Sequence, residues 1–211
     1  VRLVVVVTGA SGAIYARRAL HVLAALRAGT WPNEQARPDL EVDWVASATA
    51  PQVWQTELGE PMPTEVRAPG ATTPGATTPG LRRWDRMDFG APFASGSSAP
   101  DAVLVMPCSM SALSRVAHGG GDDLGARACE VALKERRRLV LVVRETPLSL
   151  VHLRNMVAAT EAGAVVLPAV PSFYGAVRTL DDAIDTVVAR ALDHVGLRVA
   201  LTRRWGAEEQ R

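Results

Sequence analysis

Apolar residues fall into short runs separated by segments of helical periodicity. Strand-type runs are Arg2 to Val7, Glu41 to Ala46, Ala102 to Met106, Leu139 to Val143 and Ala164 to Leu167. The intervening pattern predicts helices over Gly12 to Arg27, Ala48 to Leu58, Asp123 to Glu135, Ser149 to Ala162 and Leu180 to Val195, with Asp122 or Asp123 available to cap the third. Strand and helix in alternation predict an α/β fold built on a parallel sheet with crossover helices, and ligands in such sheets gather at the carboxyl ends of the strands.

The rhythm breaks between Gly59 and Gly90, where Ala71-Thr72-Thr73-Pro74-Gly75 is repeated at once as Ala76-Thr77-Thr78-Pro79-Gly80. That stretch is expected to be a flexible surface insertion near 60–90 within a single domain spanning 1–196. A basic and aromatic tail, 197–211, carries Arg198, Arg203, Arg204 and Trp205.

The chain has 211 residues, 48% of them hydrophobic, enough for one well-filled core. Lys and Arg number 23 against 22 Asp and Glu, a balance that excludes a general nucleic-acid or acidic-membrane binder and makes any anion recognition local. No apolar run is long enough to cross a membrane, and Leu3 to Val7 lacks the basic lead and cleavage site of a signal peptide. Val1 in place of an initiator Met points to residues ahead of it. Cys108 and Cys129 have neither metal-type spacing nor the numbers of a disulfide framework, which fits a reducing cytoplasm.

Four segments could carry chemistry. Thr8-Gly9-Ala10-Ser11-Gly12-Ala13 joins a strand to a helix, and helix-start amides accept phosphate. It fails as a nicotinamide fingerprint because Ala13 and Tyr15 stand where later glycines belong, and it fails as a Walker loop for want of Gly-Lys-Ser/Thr. A plain tight connection is the competing reading.

Ser95-Gly96-Ser97-Ser98 and Pro107-Cys108-Ser109-Met110-Ser111 flank one strand; their hydroxyls and amides suit a phosphate or a polar ring edge, although ordinary Ser-rich turns and an N-cap are, taken alone, the better explanation. Cys108 reads as a small buried residue, with no His placed to activate it. Arg144-Glu145 follows an apolar strand, where a cation beside a carboxyl group suits a phosphate ester and a proton donor, or a structural salt bridge. Pro168 to Tyr174 presents two aromatic rings that could cover the core or line a pocket. The four His are scattered, and no catalytic metal is expected.

Taken in order, Thr8 to Ala13, Ser95 to Ser98, Pro107 to Ser109, Ala132-Leu133-Lys134-Glu135-Arg136-Arg137, Arg144-Glu145-Thr146-Pro147, Pro168 to Tyr174 and Arg204-Trp205-Gly206 closely resemble the flavin prenyltransferases of the UbiX family. The proline-threonine repeat and the Gly29 to Asp39 connection look like loop insertions. The resemblance implies a flavodoxin-like or Rossmann-like subunit, a parallel sheet between helices in three layers, that binds reduced FMN as prenyl acceptor. The implied reaction transfers a dimethylallyl group from dimethylallyl monophosphate to flavin N5 and C6, without a metal. The prenylated flavin then serves a UbiD-type decarboxylase.

Carried over by position, the resemblance implies that Gly9, Ala10, Ser11, Ser47, Ser109, Met110, Ser111, Ala112 and Arg144 hold the flavin. Arg127, Lys134, Arg144, Glu145, Tyr174, Arg190 and Trp205 would form the prenyl-phosphate pocket. Ser11, Glu57, Glu145 and Tyr174 would be catalytic, Glu145 as the acid toward the leaving phosphate. Ala48 departs from the Lys found in many relatives. The family implies a large homo-oligomer, a dodecamer, with pockets between subunits, and a cytoplasmic enzyme without nucleic-acid or membrane partners. A flavin-dependent cysteine-type decarboxylase is the nearest rival, but it needs a Pro-Ala-Ser-Ala-Asn-Thr-like segment and a catalytic His; a noncatalytic FMN-binding subunit need not keep Arg144, Glu145 and Tyr174 together.

Overall fold

A computed structural model describes residues 1–32, 34–68, 80–175 and 177–203. Five parallel strands form the body of the sheet: β1 (Arg2–Val7), β2 (Glu41–Ala46), β5 (Ala102–Cys108), β6 (Arg138–Val143) and β7 (Val165–Pro168). Two more, β3 (Glu65–Val66) and β4 (Leu81–Trp84), extend it beyond β2 to give the order β3-β4-β2-β1-β5-β6-β7. β4 runs parallel to β2, and β3 pairs antiparallel with β4.

Alternation along the central strands explains the layers. Leu3, Val5 and Val7 with Trp44, Leu104 and Val142 pack under α1 (Ala13–Ala28), α2 (Ala50–Leu58) and α6 (Leu180–His194). The opposite face, including Val4, Val6, Val105 and Leu141, packs under α3 (Met110–His118), α4 (Leu124–Lys134) and α5 (Leu150–Glu161). Both faces of the sheet are therefore covered, which is why its strands read as unbroken apolar runs. The expected three-layer flavodoxin-like α/β fold is the fold observed.

Two expectations change. Part of the 60–90 stretch is ordered strand rather than surface insertion: Val66 and Leu81 are buried, and the Trp44 indole donates to the Leu81 carbonyl at 2.9 Å. Residues 71–79 of the repeat lie outside the described residues. Helix α3 is the other addition. Its start is fixed by Ser109, whose hydroxyl accepts from the Ala112 amide, and its buried face is Met110, Leu113 and Val116. Asp123, not Asp122, caps α4 through the Ala126 amide at 2.8 Å.

Candidate functional site

The carboxyl ends of β1, β2, β5 and β6 meet at one edge of the sheet. Thr8 clamps two of them: its hydroxyl donates to the Pro107 carbonyl at 2.7 Å and accepts from the Ser109 amide at 2.8 Å. The Ser47 amide donates to the Val7 carbonyl, and the Arg144 amide to the Cys108 carbonyl. These bonds fix the loops against a cleft of about 700 Å³ whose lining includes Gly9, Ser47, Ser109, Met110 and Ser111. A volume of several hundred Å³ accommodates a cofactor the size of a flavin nucleotide.

Chain geometry explains the small residues at the mouth. A Cβ on Gly9 would collide with Thr49 Oγ1 and sit 2.8 Å from Thr49 Cβ, so only glycine lets β1 turn beneath the start of α2. Gly12 holds φ 114°, a left-handed backbone conformation that suits glycine, and it cannot cap α1 with a side chain.

Glu57 supplies the cap from another helix. Its carboxylate accepts from the Gly12 amide at 2.9 Å and the Ala13 amide at 2.8 Å. An acid in the last turn of α2 is badly placed for its own helix dipole, but it rests here on the favourable end of α1. Burial pushes this carboxyl up. Hydrogen bonds from the Ser11 hydroxyl and the two amides, together with the charge of Arg144, outweigh burial and hold Glu57 below its ordinary value. The amides expected to take a phosphate at the opening turn are thus already bonded to an anion, and it is a side chain of the same protein.

Arg144 also acts on Tyr15, whose phenol is pushed up by burial and drawn down by that cation. Ser11, Glu57, Arg144 and Tyr15 are therefore one electrostatic group, and only Tyr15 was not singled out as a site residue by the sequence. Glu145 follows Arg144 at the same edge, its carboxylate accepting from the Thr146 amide at 3.0 Å. Ala10 is buried in the β1 turn, while Ala112 lies behind the cleft with Ser47. The Ser47 hydroxyl is buried without a hydrogen-bond partner among the described residues. A buried hydroxyl in this state is costly to leave unpaired, and it fits a ligand bound across the β2 end. The residues present, a glycine turn, the Ser47, Ser109 and Ser111 hydroxyls and the first-turn amides of α3 around a cleft of the right size, fit a flavin phosphate ester.

Tyr174 and Arg190 come together in a separate hollow of about 430 Å³ that Ser172, Thr186 and Asp193 also line. The Ser172 amide donates to the Thr186 hydroxyl and ties the β7 loop to α6. Arg127 and Lys134 are elsewhere. Arg127 donates to the Ala94 carbonyl at 3.0 Å, and Lys134 pairs with Glu135 beside Gly96. Ser95 to Ser98 and Pro107 to Ser111, read from sequence as one constellation flanking a strand, sit at opposite ends of β5, whose last two residues are Pro107 and Cys108. Trp205 lies outside the described residues.

Sequence reasoning also missed Thr49, Arg86, Arg115, Asp122, His152 and Asn155 on the cleft wall. The helix that carries Arg115 had a legible signal in the Ser109 cap and the spacing of Met110, Leu113 and Val116. Cys108 is fully buried and its thiol is pushed up to about 12 by burial, so it is no thiolate nucleophile at neutral pH.

The chain is similar to known flavoproteins over most of its length. The Flavoprotein family model matches residues 1–192. The flavin prenyltransferase UbiX of Synechocystis sp. is 41% identical over 210 residues, covering 96% of this chain and 95% of that protein. Among solved structures, AnUbiX (PadA1) in complex with FMN and dimethylallyl pyrophosphate superposes with a TM-score of 0.79 at 38% identity, covering 99% of this chain and 98% of that one. A dodecameric FMN-dependent UbiX-like decarboxylase from Escherichia coli O157:H7 gives 0.78 at 35% identity, covering 98% and 100%. With a glycine turn, a hydroxyl-lined cleft and Arg144-Glu145 at one sheet edge, and with relatives matched over nearly its whole length, the chain belongs to the UbiX-like flavin prenyltransferase family.

Proposed function

We propose that this protein binds reduced FMN in the cleft at the β1, β2 and β5 ends and transfers to it a dimethylallyl group from dimethylallyl monophosphate. The observation that carries the reading is the convergence of Ser11, Glu57 and Arg144 beside a flavin-sized cleft, with Glu145 adjoining Arg144. When bound, reduced FMN supplies the N5 and C6 positions that take up the prenyl carbons. Gly9, Ala10, Ser11, Ser47 and Ser109 to Ala112 hold and orient it.

The allylic carbon–oxygen bond breaks with its electron pair leaving on phosphate. Arg144 neutralises that developing charge and Glu145 gives the phosphate a proton. Cations at fixed positions do the work that a divalent ion does in other prenyl transfers. Positive charge grows on the allylic carbon as the bond lengthens; an aromatic ring face stabilises such a cation by about 0.5 to 2 kcal/mol, and Tyr174, in its separate hollow with Arg190, would do so where two copies of the chain meet. Ser11 and Glu57, linked by a hydrogen bond, can accept and return a proton at the flavin edge.

Arg127 and Lys134 enter this scheme from a neighbouring copy. Within one chain Lys134 stands at the opposite end of β6 from Arg144 and Arg127 is hydrogen-bonded to the Ala94 carbonyl, so a pocket using both sets is built between subunits of a large homo-oligomer, the dodecamer expected from the sequence. The outward apolar residues of α5, Leu150, Val151, Leu153 and Val157, give such an assembly a surface to bury. The prenylated product is then carried to a UbiD-type decarboxylase.

The test is to incubate the protein without oxygen with FMN and dithionite, adding dimethylallyl monophosphate or pyrophosphate, and to weigh the flavin. A gain of C5H8 is expected, with release of phosphate from the monophosphate or of pyrophosphate from the pyrophosphate; unmodified FMN with both donors overturns the reading.

A further inference from the structure

We propose that Arg115 is the residue by which this chain selects a phosphorylated flavin over an unphosphorylated one. The inference rests on the cleft being the flavin site and adds a residue to it. Arg115 lies on α3, in the wall of the same cleft as Ser109 and Ser111. A helical side chain leans toward its helix N-terminus, and the guanidinium of this one rests against Asp122 and Asp123 on the same cleft wall.

The guanidinium is held but not saturated. Nη1 donates to Asp122 at 3.0 Å and lies 3.6 Å from Asp123. Nε is buried with no hydrogen-bond partner among the described residues, as is the hydroxyl of Ser47, and both residues line one small cavity behind the cleft wall. Arginine offers five N–H donors in a planar fork. One nitrogen is spent on the aspartates, leaving donors for an acceptor with several oxygens, such as a phosphate monoester.

The two carboxylates sharpen the role. Asp123 is bound to its own duty as the α4 cap and its side chain is 10% exposed, whereas that of Asp122 is 67% exposed. Without Arg115, both would face an incoming phosphate directly. The residue therefore attracts the anion and shields it from the neighbouring acids, while Arg86 is the other cation on this wall among the described residues.

The experiment is calorimetric titration of the full chain with FMN and, separately, with riboflavin, comparing wild type, Arg115→Gln, Arg115→Lys and Asp122→Asn. Arg115→Gln should weaken FMN by about 10- to 100-fold, the loss expected for a charge-assisted hydrogen bond, while leaving riboflavin binding unchanged. Arg115→Lys keeps the charge without the fork and should fall between. Asp122→Asn, at an exposed position, should tighten FMN several-fold and leave riboflavin alone. If Arg115 merely braces the α4 cap, both ligands weaken together in Arg115→Gln and Asp122→Asn changes neither; that result overturns the inference, as does a wild type that binds the two flavins equally. Selective FMN binding without prenyl transfer would remove the proposed reaction and leave the role of Arg115 standing.

Discussion

Lys134 and Arg144 stand at opposite ends of β6. Lys134 closes α4 just before the strand, and Arg144 follows its last residue. Six extended residues separate them by about 20 Å along the strand. No rotamer of a lysine spans that distance, so one copy of the chain cannot bring both cations to the same phosphate.

Two inactive variants should therefore complement each other. Lys134→Ala and Arg144→Ala homo-oligomers should each lose prenyl transfer, and co-expressed with different tags they should form mixed oligomers that regain about a quarter of wild-type activity. That fraction is the chance that a site draws its intact lysine from one variant and its intact arginine from the other in a symmetric assembly. Isolation of mixed oligomers with no regained activity would place the Lys134 side chain outside the site.

The Glu57 cap makes a prediction about acid. A carboxyl group held below its ordinary value of 4.5 stabilises the fold fully above that pH, and the contribution is lost as pH falls through the lower folded value. Glu57→Gln keeps one acceptor oxygen but no charge at the start of α1, which should cost about 1 kcal/mol at pH 7. Melting temperatures of the two proteins should differ at pH 7 and draw together below pH 4. A gap that stays constant across that range would show that the charge of Glu57 contributes nothing to the cap.

How much of this was legible in the chain divides along physical lines. β1 and β2 are read to the residue, β1 because both its faces are buried so that Val4 and Val5 are equally apolar, β2 because Val42, Trp44, Val45 and Ala46 fill its buried positions. β3 and β4 escape notice because each is short and flanks a low-complexity repeat; Val66 and Leu81, fifteen residues apart in sequence, reveal them only once they face each other. The site is read less completely than the fold. Ser95 and Ser109 group by their shared hydroxyl chemistry although they flank one strand, and the length of β5 keeps them apart in space. Glu57 came from resemblance, since nothing local marks an acid near the end of one helix as the cap of another.

Glu145 carries the proton in the proposed reaction and has no part in the flavin cleft. Glu145→Gln should therefore bind FMN as wild type does and slow prenyl transfer by about 10²- to 10⁴-fold, the usual contribution of a positioned acid. Single-turnover product formation, with FMN affinity measured in parallel, separates the two effects. A variant with the wild-type rate would remove Glu145 from the mechanism, and one that fails to bind FMN would move it into the flavin site.

Ser47 offers a test in which stability and binding move in opposite directions. Its hydroxyl is buried and unpaired among the described residues, a state that costs about 1 to 3 kcal/mol when no partner is supplied. A structural serine replaced by alanine destabilises a protein, because it loses bonds made within the fold. A serine kept for a ligand behaves otherwise: Ser47→Ala should leave the flavin-free protein as stable as wild type or more stable by up to about 1 kcal/mol, while weakening FMN binding several-fold. Denaturant unfolding of the flavin-free protein and titration with FMN give the two numbers. If the variant loses stability and keeps its affinity, the hydroxyl serves the fold and the β2 end does not touch the flavin.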